Sequence, residues 1–143
     1  MFLGEYRHSI DAKGRFSLPA RFRQSMTGTV VVAKSFEHAL MVYTAPAYEE
    51  FLGQVVAMDQ FKGKARDVKR WFTANANEVD IDKSGRVNLP AVLSQWAELT
   101  DEAVVIGMGD HLEVWSPAEW QAYQAGTQDI ASLAEEISDL GVF

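Results

Sequence analysis

The sequence predicts an α+β protein made of two copies of one small unit. Three observations support this fold class. A 15-residue segment recurs after 71 residues, which indicates a duplication. Short stretches rich in β-branched and apolar residues are bounded by glycine turns, as is typical of half-buried strands. Proline or a capping residue marks the expected start of several helices.

The repeated segment occupies residues 10–24 and residues 81–95. Eight of its 15 positions are identical, where about one is expected by chance from ordinary residue frequencies. The likeness continues from residues 40–48 to residues 112–120, at an offset of 72. Two copies with so long a period are typical of a duplicated small domain, because solenoids and propellers need more and shorter repeats. Two like units also favour pairing about a pseudo-twofold axis.

Each unit is predicted to begin with a hairpin. In the first unit, residues 5–10 and 15–18 are the strands, and Phe16 and Leu18 alternate with a polar residue. Asp11 can accept hydrogen bonds from backbone N–H groups of the turn, and Gly14 can take the positive φ that closes it. The second unit has the same two residue types 71 positions later.

A helix, two strands and a second helix follow in each unit. Pro19 and Pro90 suit the first turn of a helix because that turn requires no amide hydrogen. Thr44 before Pro46, and a capping box at residues 116–119, predict the later helix starts. The predicted first helices are residues 20–25 and 91–99, and the predicted strands are residues 29–34, 40–43, 103–106 and 112–115.

Two further helices are expected outside the repeated elements. Residues 63–76 form an amphipathic pattern that joins the halves, with Val68, Trp71 and Phe72 on one face. The charged residues of this stretch are expected to be solvated or to contact another subunit. Near the C-terminus, apolar residues at helical spacing predict a short packing helix. These residues are Ile130, Leu133, Ile137 and Leu140.

Composition excludes several classes of protein. The 143 residues include no cysteine, which rules out disulfide scaffolds, zinc ribbons, Fe–S centres and thiol nucleophiles. The polar residues among the first eight argue against an export signal, and no apolar run approaches the roughly 20 residues that cross a bilayer. We therefore expect a soluble, cytoplasmic protein without membrane contact.

Charge is divided unevenly between the two halves. Residues 1–72 contain 11 Lys and Arg against 7 Asp and Glu, a charge of +4. Residues 73–143 contain 2 against 13, a charge of −11, which gives the total of −7. Basic charge concentrated in one half of an acidic protein indicates a face that binds a polyanion, although an acidic remainder also helps solubility.

The candidate site is the pair of Asp-x-x-x-Arg motifs at the two predicted hairpin turns. Arg offers a rigid fork that suits phosphates and guanine edges, and a β-element can enter the major groove of DNA. The plainer alternative is a structural Asp–Arg turn pair that contributes little when exposed. The predicted DNA-binding residues are Asp11, Lys13 and Arg15 in the first unit and Asp82, Lys83 and Arg86 in the second, with Gly14 and Gly85 forming the turns.

The residues resemble the MraZ family of transcriptional regulators, which consist of two domains of the SpoVT-AbrB type. The likeness is carried by the opening MFLGEYRHSIDAKGRFSLPA and by the segment KRWFTANA before the second motif, and it covers about residues 1–123. The resemblance implies two tandem SpoVT-AbrB-like domains, each a small β-barrel of the swapped-hairpin type with short helices. The expected parts are residues 1–53, a helical connector at 54–76, residues 77–123 and a helical tail at 124–143.

The resemblance also implies the function. Family members bind short direct repeats in the promoter of their own division and cell-wall gene cluster, usually as repressors, and form ring-shaped homo-oligomers. The protein is thus expected to bind double-stranded DNA in the nucleoid, without a cofactor. The family's DNA-contacting motif falls on Asp11 and Arg15 and on Asp82 and Arg86. The family's helix after the second motif often has a basic residue near its start and a glycine near its end, whereas this sequence has Val92, Ser94 and Glu98. The first unit is therefore expected to bind more strongly.

Two other interpretations remain open. An enzyme could use His8, His38 or His111 with a nearby carboxylate, but the sequence has no metal-binding histidine spacing and no nucleophile elbow. We therefore expect neither catalysis nor a metal site. The second interpretation is an oligomeric interaction scaffold without specific DNA binding, in which the basic turns join subunits and tryptophans anchor the interface.

Overall fold

The computed structural model describes residues 1–127, 129–138 and 141. This part is a mixed α+β protein with antiparallel strands and five α-helices, as the fold class predicted. The strands are β1 (Glu5–Ser9), β2 (Arg15–Ser17), β3 (Thr29–Lys34), β4 (Leu40–Thr44), β5 (Ala76–Asp80), β6 (Arg86–Asn88), β7 (Glu102–Gly107) and β8 (Leu112–Trp115). The helices are α1 (Ala45–Val56), α2 (Gly63–Ala74), α3 (Ala91–Trp96), α4 (Pro117–Gly126) and α5 (Ile130–Glu136), with a 3-10 turn at Ala20–Phe22.

The two predicted capping residues begin their helices. The Thr44 hydroxyl accepts a hydrogen bond of 3.3 Å from the backbone N–H of Ala47 at the start of α1. The Ser116 hydroxyl accepts one of 3.0 Å from the backbone N–H of Glu119 at the start of α4. Each bond satisfies an amide that has no partner within its own helix. These helix starts are confirmed.

The strands of the two repeats alternate within one sheet rather than forming two separate sheets. The six-stranded order is β1-β7-β8-β4-β3-β5, and β2 and β6 form a separate two-stranded ribbon. Strand β1 of the first repeat therefore pairs with β7 of the second, and β5 of the second pairs with β3 of the first. Exchanging the repeats maps this set of pairings onto itself, which is the predicted pseudo-twofold relation.

The predicted hairpins and first helices are shorter than expected. Between β1 and β2 the structure has a single bridge, Ile10 to Phe16, because β1 continues along β7 and β2 along β6. The helix predicted at residues 20–25 is only the 3-10 turn, since the chain must turn into β3. The helix predicted at 91–99 ends at Trp96, where Glu98 has φ 57° and Leu99 donates to the Ser94 carbonyl at 2.9 Å.

The main core joins both repeats. It includes Phe16 and Val30 of the first repeat with Val87 and Val105 of the second, all at most 1% exposed. A smaller cluster packs α1 and α2 on the other face of β3 and β4. The two repeats share one sheet and one main core. The domain boundaries given above therefore divide the chain by sequence alone and remain a prediction.

Helix α5 does not pack as predicted. None of its residues is buried, and Ile130 at its start is 68% exposed. Leu140, which was assigned to the same apolar stripe, lies outside the described residues. No helix in the described ranges combines the length and apolar character needed to cross a bilayer.

Candidate nucleic-acid interface

The ribbon of β2 and β6 brings both Asp-x-x-x-Arg motifs onto one surface. Phe16 lies opposite Val87, and these two side chains point into the core with 1% and 0% exposure. Successive residues of a strand face opposite sides. The outer face therefore carries Arg15, Ser17, Arg86 and Asn88. Arg15 lies opposite Asn88 and Ser17 opposite Arg86, so the arginines are diagonal neighbours at about 7–8 Å.

The turn before β2, which we call the first tip (residues 11–15), is organised by one carboxylate. Oδ1 of Asp11 accepts hydrogen bonds of 2.9 Å from the backbone N–H groups of Lys13 and Arg15. Its Oδ2 accepts a 2.8 Å bond from Nε of Arg15. The backbone N–H of Gly14 donates to the Asp11 carbonyl at 3.0 Å, with Gly14 at φ 81°. The predicted turn roles of aspartate and glycine are thus present.

The turn before β6, the second tip (residues 82–86), repeats these contacts. Oδ1 of Asp82 accepts from the backbone N–H groups of Ser84 and Arg86 at 2.9 Å, and Oδ2 accepts from Nε of Arg86 at 2.8 Å. Gly85 has φ 76°. The side-chain distances agree with those of the first tip, so both copies of the motif have one geometry.

The ion pair orients each arginine without using its outer nitrogens. In both tips the carboxylate accepts from Nε, so the two Nη atoms remain at the far end of the planar group. The exposed side-chain fraction is 27% for Arg15 and 34% for Arg86, which keeps the guanidinium accessible but restrained. A guanidinium held in this way can present two parallel N–H groups to a phosphate or a guanine edge. The Asp–Arg pair of each tip can therefore stabilise the turn while its arginine also binds a ligand.

Each tip is held in place by the other repeat. The backbone N–H of Leu18 donates to the Gly85 carbonyl at 3.0 Å, and that of Leu89 donates to the Gly14 carbonyl at 2.9 Å. These bonds extend the ribbon beyond the β2 and β6 ladder at both ends. The tips therefore lie at opposite ends of one rigid element whose inner face is fixed in the core.

The two lysines predicted at the tips are both exposed, but they occupy different positions in the turns. Lys13 is the third residue of its tip, whereas Lys83 is the second. Sequence reasoning missed Ser17 and Asn88 on the outer face of the ribbon, although their alternation with Phe16 and Val87 was a usable signal. It also missed the position of Arg23, which packs against the second tip; nothing local in the sequence indicates this.

Two of the three histidines, His38 and His111, make packing contacts. His38 stacks on Trp96 with ring centroids 4.8 Å apart, and its Nδ1 lies 3.1 Å from the Trp96 carbonyl. His111 stacks on Tyr43 at 4.3 Å, and its Nδ1 lies 2.7 Å from a carboxylate oxygen of Asp110. In the described ranges no group of three or more His, Cys, Asp or Glu side chains is placed to hold a metal ion.

The tip carboxylates predict an acid-dependent loss of stability. Hydrogen bonds from the backbone N–H groups of Arg15 and Arg86 are the largest cause that lowers the pKa values of Asp11 and Asp82 below their ordinary value. A carboxyl whose pKa is lower in the folded state stabilises the fold above its unfolded pKa of about 3.9, and this contribution disappears as pH falls through the folded value. Unfolding by urea should therefore show Asp11→Asn to be less stable than the parent protein at pH 5 to 8.

The difference between Asp11→Asn and the parent should shrink below about pH 4, because the parent carboxyl is then protonated as well. Asp82→Asn should follow the same profile, since its tip has the same bonds. Curves of parent and variant that stay parallel from pH 7 to pH 3 would contradict this linkage.

The chain matches one family over almost its whole length. Residues 1–71 and 72–140 each match the family model described as "MraZ protein, putative antitoxin-like". A protein named Transcriptional regulator MraZ from Herpetosiphon aurantiacus is 38% identical over 143 residues, covering 99% of this chain and 100% of the relative. One of the same name from Roseiflexus castenholzii is 38% identical over 141 residues, covering 98% and 99%. One from Leuconostoc citreum is 39% identical over 140 residues, covering 97% and 98%.

Proposed function

The chain belongs to the MraZ family, and from this premise we propose that it is a sequence-specific DNA-binding regulator of transcription. Its relatives' shared name supports the role in transcription. We further propose that it binds direct repeats in its own promoter and represses the bacterial division and cell-wall gene cluster, acting in the cytoplasm on the nucleoid. The exchange of strands between the repeats, with β1 on β7, β5 on β3 and β2 on β6, supports the proposal of SpoVT-AbrB-like units.

One observation carries this proposal: two carboxylate-oriented arginines lie on the outer face of a rigid two-stranded ribbon. A β-ribbon fits the major groove of B-DNA, where each base pair presents its own pattern of donors and acceptors. Arg15 and Arg86 would contact guanine O6 and N7, and Lys13 and Lys83 would contact phosphates. Asp11 and Asp82 would act by orienting the arginines, since their carboxylates are already engaged by the turns.

A single ribbon offers few contacts, so we propose that a ring-shaped homo-oligomer presents several ribbons to successive operator repeats. Linking weak sites raises their effective concentration for one another and increases overall affinity. Exposed apolar side chains support self-association, among them Phe61 at 97% and Ile130 at 68% exposure. Light scattering coupled to size exclusion should therefore give a mass well above the 15.9 kDa of one chain.

The test of the function is a fluorescence-anisotropy titration of the full chain against a labelled duplex from upstream of its own gene. A duplex of the same composition in scrambled order is the control, and both are measured at two salt concentrations. We expect tighter binding to the promoter duplex and a loss of affinity with salt, with a log–log slope of about 0.9 for each phosphate contacted. Equal weak binding to both duplexes would favour the oligomeric scaffold instead.

A further inference from the structure

The geometry points to a phosphate-binding cleft that Arg23 of the first repeat forms with the second tip. The ligand would be a backbone phosphodiester of the bound DNA, and in this respect the inference rests on the proposed function. Arg23 would then be a DNA-contacting residue in addition to the two arginines and two lysines of the tips. It would also mean that charge encoded in the first repeat serves the tip of the second.

Arg23 lies directly against the turn of the second tip. A Cβ atom placed on Gly85 would be 3.0 Å from both Cδ and Nε of Arg23, so any other residue there would require the arginine side chain to shift. Nε of Arg23 donates a 3.0 Å hydrogen bond to the Leu18 carbonyl. The backbone N–H of Leu18 in turn donates to the Gly85 carbonyl at 3.0 Å. Leu18 thus forms hydrogen bonds both to Arg23 and to the second tip.

Beside this contact is an open cleft of about 420 Å³. Its charged side chains are Arg23, Lys83 and Asp82. The Asp82 carboxylate already accepts three hydrogen bonds within the turn, two of them from backbone N–H groups and one from Arg86. Two cations therefore remain to attract an anion. The cleft is lined by residues 82–85, which directly precede Arg86, so DNA seated on Arg86 would bring its backbone close to the cleft.

The pseudo-twofold axis provides a comparison within the same molecule. The matching cleft at the first tip has a volume of about 280 Å³ and is lined by Asp11 and Lys13 together with neutral residues. Ser94 lies 71 positions after Arg23 in the chain and occupies the corresponding place in this cleft. The two clefts thus share their architecture but differ by one guanidinium. Anion binding requires this additional positive charge, whereas a purely structural role of the repeat does not require it.

His8 lies near Arg23 but contributes little positive charge at neutral pH. Burial, and after it the positive charge of Arg23, lowers the pKa of His8 below its ordinary value. The attraction for a phosphate at pH 7 therefore comes mainly from Arg23 and Lys83. Hydrogen bonds from a guanidinium to a phosphate are stronger than those between neutral groups.

The test compares Arg23→Gln with Arg23→Lys, using Arg21→Gln as the matched control. Arg21 is exposed, lies in the 3-10 turn directly before Arg23 and does not line the cleft. Affinity for the promoter and scrambled duplexes is measured from about 50 to about 200 mM salt. Loss of one phosphate contact should lower the slope by about 0.9, so the drop in affinity over this range becomes about 3.5-fold smaller.

Arg23→Gln should show this reduced slope equally on both duplexes, because phosphates carry no sequence information. Arg23→Lys should restore the slope, and Arg21→Gln should keep it. A parent-like slope in Arg23→Gln, or a slope that Arg23→Lys fails to restore, would overturn the inference. Its failure is distinguishable from failure of the proposed function, which would appear as equal affinity of the unmodified protein for the two duplexes.

Discussion

Replacing Arg15 with alanine is expected to weaken binding to the promoter duplex while the protein stays folded. A bidentate arginine contact to guanine is worth about 1–3 kcal/mol, or about 5- to 150-fold in affinity, and several such contacts multiply in an oligomer. The scrambled duplex should lose much less. The fold should persist because the Asp11–Arg15 pair lies at the surface, with side chains 37% and 27% exposed, and ion pairs at the surface contribute little to stability.

The control for charge alone is Arg70→Ala on α2. Arg70 is also a paired arginine, 3.0 Å from Asp67, but it is 67% exposed and lies outside the ribbon. This variant should bind nearly as tightly as the parent protein. A folded Arg15→Ala variant with unchanged promoter affinity would exclude Arg15 as a base contact.

Arg86→Ala should cause a loss comparable to that of Arg15→Ala. The sequence led us to expect a dominant first unit because the second unit departs from the family pattern at Val92, Ser94 and Glu98. The two tips, however, have the same hydrogen bonds, and Arg23 lies against the second tip. A much larger loss at Arg15 than at Arg86 would support the original expectation of a dominant first unit.

Gly107→Ala is expected to lower the free energy of unfolding by about 3 kcal/mol or more. A Cβ atom at this position would lie 2.6 Å from the Phe2 carbonyl oxygen and overlap the backbone nitrogen of Leu3. Overpacking of this kind costs about 1–3 kcal/mol, and displacing Phe2 would also remove buried aromatic surface from the core. Phe2 is 7% exposed and meets Phe22 edge to face at 5.1 Å.

Urea unfolding with Gly53→Ala as the control tests this expectation. Gly53 lies inside α1, and a Cβ added there would have no atom within 4 Å. Its replacement should therefore stabilise the protein by about 0.5–1 kcal/mol, because alanine loses less conformational freedom in a helix. A Gly107→Ala variant within about 0.5 kcal/mol of the parent would show that the N-terminal segment can shift without cost.

The sequence predicted those elements whose signals are local. The limits of β3 were found because residues 29–33 are a run of β-branched and apolar residues between Gly28 and Lys34. The starts of α1 and α4 were found because Thr44 and Ser116 are capping residues before proline. The turn roles of Asp11 and Gly14 were likewise readable, since both depend on hydrogen bonds and φ angles within five residues.

Strand partners and cross-repeat contacts could not be predicted in this way. Tyr6 of β1 pairs with Val105 of β7, and no pattern within either strand specifies a partner so distant in the chain. We therefore expected β1 to pair with β2, the next strand along the chain. The position of Arg23 depends on the same exchange, because only the crossed pairing brings the end of β2 to Gly85.

The two ends of the ribbon formed by β2 and β6 carry different side chains. A protein with a single repeat that paired with its own copy would present two identical ends and would suit a palindromic site. In this chain the two ends have diverged, since Lys13 and Lys83 occupy different turn positions and Arg23 adjoins one end only. A duplex turned end for end would thus meet different side chains. Such a directional surface can read successive sites that all run the same way, and direct repeats have this arrangement.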